Sequence, residues 1–156
     1  MIAKLNEWIA YIQKPRPELG GLAICPYAKQ AVVLKTYKVE TTTTAEIYTK
    51  LAELDLVNHQ VIILIVEDYE AFKPEELVLQ TIELNKQHNS KDLAILDNDP
   101  RTPMIINGVT TTFAHSYLWI VQSLSDLNKK SEDLKKTNYY DFWTQAQLSE
   151  VVTWRT

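Results

Sequence analysis

Six consecutive apolar residues, Val61–Val66, constrain the fold of this chain more than any other segment. A strand with one face in water alternates apolar and polar side chains, whereas a strand covered on both faces is apolar throughout. Val61–Val66 does not alternate, so we predict a strand at the centre of a sheet that carries helices on both faces. Strands of this kind are typical of parallel sheets in α/β proteins.

The segments on either side of Val61–Val66 show the patterns that an α/β sheet needs. Apolar residues recur at helical spacing from Ile2 to Ile12, and Pro15 ends that helix. Pro74 is typical of a helix start. We predict helices over 2–12, 45–54 and 75–87, and strands over 32–39, 61–66 and 93–96. The helix between the last two strands makes a βαβ crossover, so these strands run in the same direction.

The C-terminal third adds a hairpin and two helices. Asn107-Gly108 between apolar runs is a strong hairpin signal, and Thr144 with Gln147 resembles a capping box. We predict hairpin strands over 104–106 and 109–113, a long amphipathic helix over Ser116–Lys136 and a short helix after Thr144. The chain is therefore predicted as one α/β domain over 1–156, in the order αβαβαβ(β-hairpin)α, with a mixed, centrally parallel sheet flanked by helices.

Composition narrows the range of partners. The chain has 156 residues, one cysteine and a net charge of −4. Its 16 basic residues are mostly scattered, whereas nucleic-acid binding needs a basic footprint, so we expect no nucleic-acid partner. No apolar run approaches the roughly 20 residues that span a bilayer, so we expect no membrane partner. One cysteine allows no internal disulfide, which predicts a cytoplasmic location.

Acidic residues follow all three predicted strands: Glu40, then Glu67 and Asp68, then Asp97 and Asp99. The carboxyl ends of parallel strands meet at one edge of a sheet, where open α/β folds bind their ligands. Like charges brought together raise at least one pKa, which places a proton donor beside a proton acceptor. The pattern predicts acid–base chemistry. The alternative is that these residues only form turns after the strands.

Hydrolysis of a small polar metabolite fits such a cluster, with an amide such as glutamine as the leading substrate. In this hypothesis Asp97 and Asp99 are the catalytic acid–base or nucleophilic pair, and Glu67 and Asp68 are their electrostatic partners. The predicted substrate-binding residues are Arg101, Asn98 and His115.

The same carboxylates allow a second enzymatic hypothesis. A Glu after one strand and an Asp-x-Asp after a later one are loosely similar to Mg²⁺-dependent phosphoryl-transfer sites. No Gly-rich phosphate loop accompanies these acids. We therefore expect no metal or other cofactor, and keep a Mg²⁺-dependent phosphoryl hydrolase as the alternative.

Cys25 is the other candidate nucleophile. The segment Cys25–Ala28 resembles the Cys-Pro-Tyr-Cys redox motif without its second thiol, and Thr102–Gly108 resembles the cis-proline strand and turn of glutaredoxins. The resemblance implies a thioredoxin-like thiol protein. The cysteine, however, precedes the first predicted strand instead of following it, and a lone cysteine among apolar residues is typically a small buried hydrophobe.

Two further resemblances extend over much of the chain. Trp8-Ile9 with Leu22–Lys29 is similar to an uncharacterised bacterial domain family that pairs an N-terminal Trp helix with a Leu-Cys-Pro-Phe-Ala-Lys segment, although Tyr27 stands where that pattern has Phe. The likeness continues through Asp68–Phe72 and Arg101–Pro103. The whole chain also resembles small auxiliary-metabolism proteins of marine cyanobacterial phages, which implies glutaminase-like amide hydrolysis.

Aromatic residues near the C-terminus predict either a latch on the rest of the chain or a subunit interface: Tyr139, Tyr140, Phe142, Trp143 and Trp154. We expect a homo-oligomer that acts on a small-molecule substrate. The non-enzymatic alternative is an interaction module whose acidic edge binds a basic protein.

Overall fold

Val61–Val66 forms strand β2 in the computed structural model, which describes residues 1–155. Ile62, Leu64 and Val66 are buried on one face of the sheet, and Ile63 and Ile65 are buried on the other. Neither face of this strand is open to water, which explains why its sequence does not alternate. The predicted strand, covered on both faces, is confirmed.

Helices and shorter strands surround β2. The helices are α1 (Ile2–Ile12), α2 (Ala28–Val33), α3 (Ile47–Glu53), α4 (Pro74–His88), α5 (Leu124–Lys135) and α6 (Gln145–Val151). The other strands are β1 (Tyr37–Thr42), β3 (Leu93–Asn98), β4 (Ile105–Ile106), β5 (Val109–Thr110) and β6 (Tyr117–Ser123). Short 3₁₀ turns cover Pro17–Leu19, Tyr69–Ala71, Asn89–Lys91 and Thr153–Arg155.

The main sheet has the strand order β1-β2-β6-β3. β1 and β2 pair in parallel, with Tyr37 opposite Val61. β6 lies between β2 and β3 and is antiparallel to both. β2 and β3 therefore run in the same direction, one strand apart. The predicted α/β class, with a mixed sheet flanked by helices, is confirmed. The sheet is not parallel at its centre as predicted, because β6 returns between β2 and β3 and its pairing with β2 is antiparallel.

Two apolar cores hold helices against the faces of the sheet. On one face, Ile47 of α3 and Leu77 of α4 pack in a cluster that includes the fully buried Trp119 of β6. On the other face, Leu5 and Ile9 of α1 pack against residues of β2 and β6. Within residues 1–155, no helix combines the length and the apolar character needed to cross a membrane.

The predicted helix over Ser116–Lys136 is wrong in its first half. Tyr117–Ser123 is strand β6, and helix α5 begins only at Leu124. β6 lies inside the sheet with apolar neighbours on both faces, and a short apolar run of this kind is compatible with helical spacing as well. Ser123 ends the strand and caps the helix, because its Oγ accepts a hydrogen bond from the Asp126 N–H at 3.2 Å.

The predicted strand over 32–39 is displaced along the chain. Helix α2 continues to Val33, and Lys35 then turns the chain with a φ of 53°. The strand itself, β1, covers Tyr37–Thr42. Apolar Val32 and Val33 are compatible with either structure, and the helix they end packs beside α1.

Glu40 consequently lies inside β1, opposite Leu64, rather than after the strand. Its carboxylate forms ion pairs with Lys38 and Lys50. Hydrogen bonding from Lys38 is the main cause that lowers the pKa of Glu40. This acid therefore belongs to a surface ion-pair group on the edge strand.

The hairpin and the last capping box are confirmed. Asn107 and Gly108 connect β4 and β5 with φ angles of 46° and 79°, and two successive positive φ angles are typical of a type I′ turn. The Thr144 Oγ1 accepts from the Gln147 N–H at 3.2 Å, and the Gln147 Oε1 accepts from the Thr144 N–H at 2.9 Å.

The open edge of β3 is covered by a side chain of α4. Asn85 Nδ2 donates to the Ile95 carbonyl at 2.7 Å, and Asn85 Oδ1 accepts from the Ile95 N–H at 2.8 Å. The amide thus takes the place of a neighbouring strand for this residue. It satisfies two backbone groups that would otherwise be buried without partners.

Candidate functional site

The acids after β2 and β3 lie at the same edge of the sheet, because both strands are antiparallel to β6. The intervening strand sets their ends about 10 Å apart, twice the spacing of neighbouring strands. Arg101, which follows β3, spans this gap. Its Nη1 donates at 2.7 Å to the backbone oxygen of Phe72 in the segment that follows β2.

Asp99 and Arg101 bind each other. Arg101 Nε and Nη2 donate to the two Asp99 carboxylate oxygens at 2.9 and 2.7 Å, and the Arg101 N–H donates to Oδ1 at 2.9 Å. The Asp99 side chain is 3% exposed. Three donors and an opposite charge already occupy this carboxylate, so its geometry suits holding the strand end better than attacking a substrate. The same bonds occupy the Arg101 guanidinium that was predicted to bind substrate.

Asp68 is also occupied within the fold. Its carboxylate accepts from the Thr44 N–H at 2.9 Å and from the Thr44 Oγ1 at 2.7 Å, which fastens the loop between β1 and α3 to the end of β2. Glu67, next to it, is exposed to solvent. Of the two predicted electrostatic partners, Asp68 therefore holds a loop through hydrogen bonds and Glu67 lies on the surface.

Asn98 and His115 meet at Phe113. Asn98 Oδ1 accepts from the Phe113 N–H at 3.1 Å. The exposed His115 ring packs edge-on against the Phe113 ring, with 5.4 Å between the ring centroids. Asn98 also borders the cavity described below, so it alone of this pair lies where a bound molecule would be.

Asp97 differs from the other acids. Burial is the main cause that raises the pKa of its carboxyl, and the charges of Glu150 and Asp99 raise it further. Burial, followed by the charge of Asp97, also raises the pKa of Tyr117. Hydrogen bonds from the Asp97 backbone and from Tyr117 oppose the rise at Asp97. A raised pKa moves a carboxyl toward the range in which a general acid works.

A buried hydrogen-bond network leads from helix α4 to Asp97. Thr81 Oγ1 donates to the Leu77 carbonyl at 2.9 Å, accepts from Trp119 Nε1 at 2.9 Å and lies 3.2 Å from the Tyr117 hydroxyl. The Tyr117 hydroxyl in turn interacts with Asp97 and lowers the pKa of its carboxyl. The network fixes the position of the Tyr117 hydroxyl beside the carboxyl.

A cavity of about 320 Å³ lies on the α1 side of the sheet, and Asp97 is among the residues that line it. Ile63 and Ile120 form part of its floor on the sheet, and Trp8 of α1 forms part of its wall. In the sheet register Asp97 lies opposite Trp119 on the α4 face, whereas its neighbours Leu96 and Asn98 face the α1 side. The cavity volume is at the lower end of the range of small-molecule sites, and such sites are mostly apolar with a few polar groups.

Aromatic residues of the C-terminal segment line the cavity opposite the sheet. The rings of Tyr139, Tyr140 and Trp143 contact one another, with centroid separations from 4.9 to 5.7 Å. Tyr139 Oη donates to the Ile24 carbonyl at 2.5 Å, which ties this segment to the loop that carries Cys25. These three rings act as a latch within the chain. The homo-oligomer stays a prediction.

Cys25 is part of the same cavity wall. Burial raises the pKa of its thiol, although backbone N–H groups of Tyr27 and Ala28 and the charge of Lys130 oppose this effect. A thiol in this state holds its proton and is a weaker nucleophile than a thiolate. It precedes β1, as the sequence indicated.

Glu150 and Arg155 are among the polar residues of the cavity that were not predicted from the sequence. Glu150 of α6 lines the cavity and raises the pKa of Asp97. Arg155 lines it too and is buried. Nothing in the local sequence distinguishes Glu150 from other exposed acids. Both residues reach the cavity only because the C-terminal segment folds back over the sheet.

No group of three or more His, Cys, Asp or Glu side chains within residues 1–155 is arranged to hold a metal ion. Whether the protein uses a cofactor stays a prediction. Comparison with family models, curated proteins and solved structures finds no match for this chain. The resemblances noted at Trp8-Ile9 and Leu22–Lys29 stay predictions as well.

Proposed function

We propose that this protein is a small cytoplasmic hydrolase that cleaves the amide of a small metabolite bound in the cavity beside Asp97. The observation that carries the proposal is that Asp97, whose carboxyl pKa is raised by burial, and Glu150, whose charge raises that pKa further, both line one ligand-sized cavity. Two carboxyl groups in opposite protonation states are the usual requirement for general acid–base hydrolysis.

In the proposed reaction, Glu150 acts as the base and Asp97 as the acid. Glu150 takes a proton from a water molecule, whose oxygen forms a bond to the amide carbon. Asp97 gives its proton to the leaving nitrogen as the carbon–nitrogen bond breaks, and the products are a carboxylic acid and ammonia or an amine. The proton on Glu150 then returns to Asp97 through solvent.

This proposal keeps Asp97 from the predicted catalytic pair and replaces Asp99 with Glu150. Asp99 and Arg101 then hold the end of β3 so that Asp97 keeps its position. Asp97 would act as the reacting group, whereas Asp99 would act only as a positioning residue.

Release of ammonia or amine from a panel of amides tests the proposal. The panel contains glutamine, asparagine and N-acyl amides with aliphatic or aromatic bodies. We expect Asp97→Asn and Glu150→Gln to lower turnover by about 100-fold or more. Asp133→Asn, which removes a carboxylate from the exposed surface of α5, should leave turnover unchanged. No turnover of any amide by the wild-type protein, or full turnover in Asp97→Asn, would overturn the proposal.

The thiol alternative is favoured by one observation, since Cys25 lies in the wall of the same cavity. A thiol mechanism would form an acyl–sulfur bond as the amine leaves. Cys25→Ser would then abolish turnover, whereas the carboxyl mechanism predicts that this variant keeps it. The two mechanisms are therefore separated by one conservative substitution.

A further inference from the structure

Arg155 is the most deeply buried arginine of the described chain, with 7% of its surface exposed. Its Nη2 donates to Ser131 Oγ at 2.9 Å, and the Tyr140 hydroxyl also lies within hydrogen-bond distance of that Oγ, at 3.2 Å. Its Nε and Nη1 are buried and have no hydrogen-bond partner within residues 1–155. Three of the five guanidinium N–H bonds are thus unused.

The charge of Arg155 is also not neutralised by the described residues. No carboxylate within residues 1–155 forms an ion pair with it, and the Tyr140 phenol is the group that favours its charged form. Burying an unpaired cation is costly, and buried charges in folded proteins are normally paired. Asn85, in contrast, satisfies both ends of its buried amide. The open N–H groups of Arg155 are therefore an exception that needs a partner.

The place of Arg155 in the fold indicates what that partner is. Arg155 lines the cavity of about 320 Å³, whose other lining is largely apolar and aromatic. The second cation of the cavity, Lys130, is already paired with Asp126 at 2.7 Å. Arg155 is therefore the cation of this lining that has no ion pair within residues 1–155, and one guanidinium matches one carboxylate.

We propose that Arg155 binds the carboxylate of a ligand whose apolar body fills the cavity. The guanidinium presents N–H donors in a planar arrangement that suits a planar carboxylate, and the low polarity of the surroundings strengthens such charged hydrogen bonds. As a statement about binding the inference stands alone. As a statement about substrate it rests on the proposed function, and it then specifies an amide that also carries a carboxylate.

Benzoate is the probe for this site, because it joins one carboxylate to a compact aromatic body. Benzamide has the same shape without the charge, and inorganic phosphate has charge without the apolar body. Titration of the full chain, followed by calorimetry, should show binding of benzoate and much weaker binding of benzamide and phosphate. Arg155→Met should weaken benzoate binding by about 10-fold or more, as expected for the loss of charged hydrogen bonds.

Arg16→Met is the matched control. Arg16 also has a buried Nε without a partner, but its guanidinium stacks on the Tyr11 ring at 4.0 Å and does not line the cavity. Its removal should leave benzoate affinity unchanged. Arg155→Lys keeps the charge without the planar donors, and we expect it to recover only part of the affinity.

Equal affinity of wild type and Arg155→Met for benzoate would overturn the inference, as would equal affinity of the wild type for benzoate and benzamide, or tighter binding of phosphate. If Arg155→Met does not fold, the Nε–H signal of Arg155 in the NMR spectrum of the wild type decides. The signal should shift on addition of benzoate and not on addition of benzamide, and an unchanged signal contradicts the proposal.

The two proposals can fail separately. Benzoate binding through Arg155 without any amide turnover would refute the hydrolase and keep the carboxylate site. Turnover of neutral amides that is insensitive to Arg155→Met, without benzoate binding, would refute the carboxylate site and keep the hydrolase.

Discussion

Replacement of Asp99 by Asn decides whether this residue holds the fold or takes part in chemistry. The substitution keeps the shape of the side chain and an acceptor for the Arg101 N–H, but removes the charge that pairs with Nε and Nη2. It also places an amide N–H₂ group against a guanidinium that has only donors. The structure therefore predicts a loss of stability.

The magnitude follows from the burial of the two partners. Removing one member of a fully buried pair costs about 3–5 kcal/mol. The Asp99 side chain is 3% exposed, but the Arg101 side chain is 29% exposed and keeps part of its hydration. We therefore expect a loss of about 2–3 kcal/mol in the free energy of unfolding. With a urea m-value of about 1–3 kcal/mol/M, the unfolding midpoint should fall by about 0.7–3 M.

Urea unfolding followed by tryptophan fluorescence at pH 7 measures this change, since Trp119 is buried in the core. Asp133→Asn is the control. It breaks a pair of similar length, 2.7 Å, whose members are both more than half exposed, and should leave the midpoint unchanged. Asp99→Asn should retain amide turnover in proportion to the folded fraction. A wild-type midpoint together with lost turnover would refute the reasoning and return Asp99 to the catalytic pair.

Three further predictions concern Asp97, Asn85 and Cys25. Because the folded-state pKa of Asp97 is raised, its contribution to stability is present below the unfolded pKa and is lost as pH rises through the folded pKa. As pH rises from about 4 through the folded-state pKa, Asp97→Asn should therefore gain stability over wild type in urea unfolding, by about 1.4 kcal/mol for each unit of pKa shift. A difference that does not depend on pH would contradict this. Asn85→Ala leaves the Ile95 N–H and carbonyl unpaired and should lower the free energy of unfolding by about 2–5 kcal/mol. Hydrogen exchange at Ile95 should become faster. Unchanged exchange would show that Asn85 does not protect the edge of β3. Cys25 should react with iodoacetamide at pH 8 at least about 10-fold more slowly in the folded protein than in urea, because burial raises the pKa of its thiol; equal rates would show an accessible thiolate.

Local sequence determined the elements whose pattern depends on near neighbours. The run Val61–Val66 is apolar because both faces of β2 are covered, and these six residues alone predict a buried strand. The Asn107-Gly108 turn and the Thr144 capping box are likewise set by the backbone preferences of residues within three positions of each other. Such features can be predicted because their physical causes are local.

β6 could not be assigned in the same way. Tyr117–Ser123 is apolar on both faces and short, so its side chains satisfy the spacing of a helix as well as that of a strand. Only the vacant position between β2 and β3 selects the strand, since β6 completes hydrogen bonding with both neighbours. That choice depends on residues more than 20 positions away.

The candidate site shows the same division. The sequence alone determined that acids follow β2 and β3 and that their strand ends share an edge once the strands run in the same direction. Only the tertiary structure decided which acid is free to react. Arg101 neutralises Asp99 and Thr44 binds Asp68, while burial raises the pKa of Asp97. Burial and long-range pairing determine pKa and availability, and neither is a property of the local sequence.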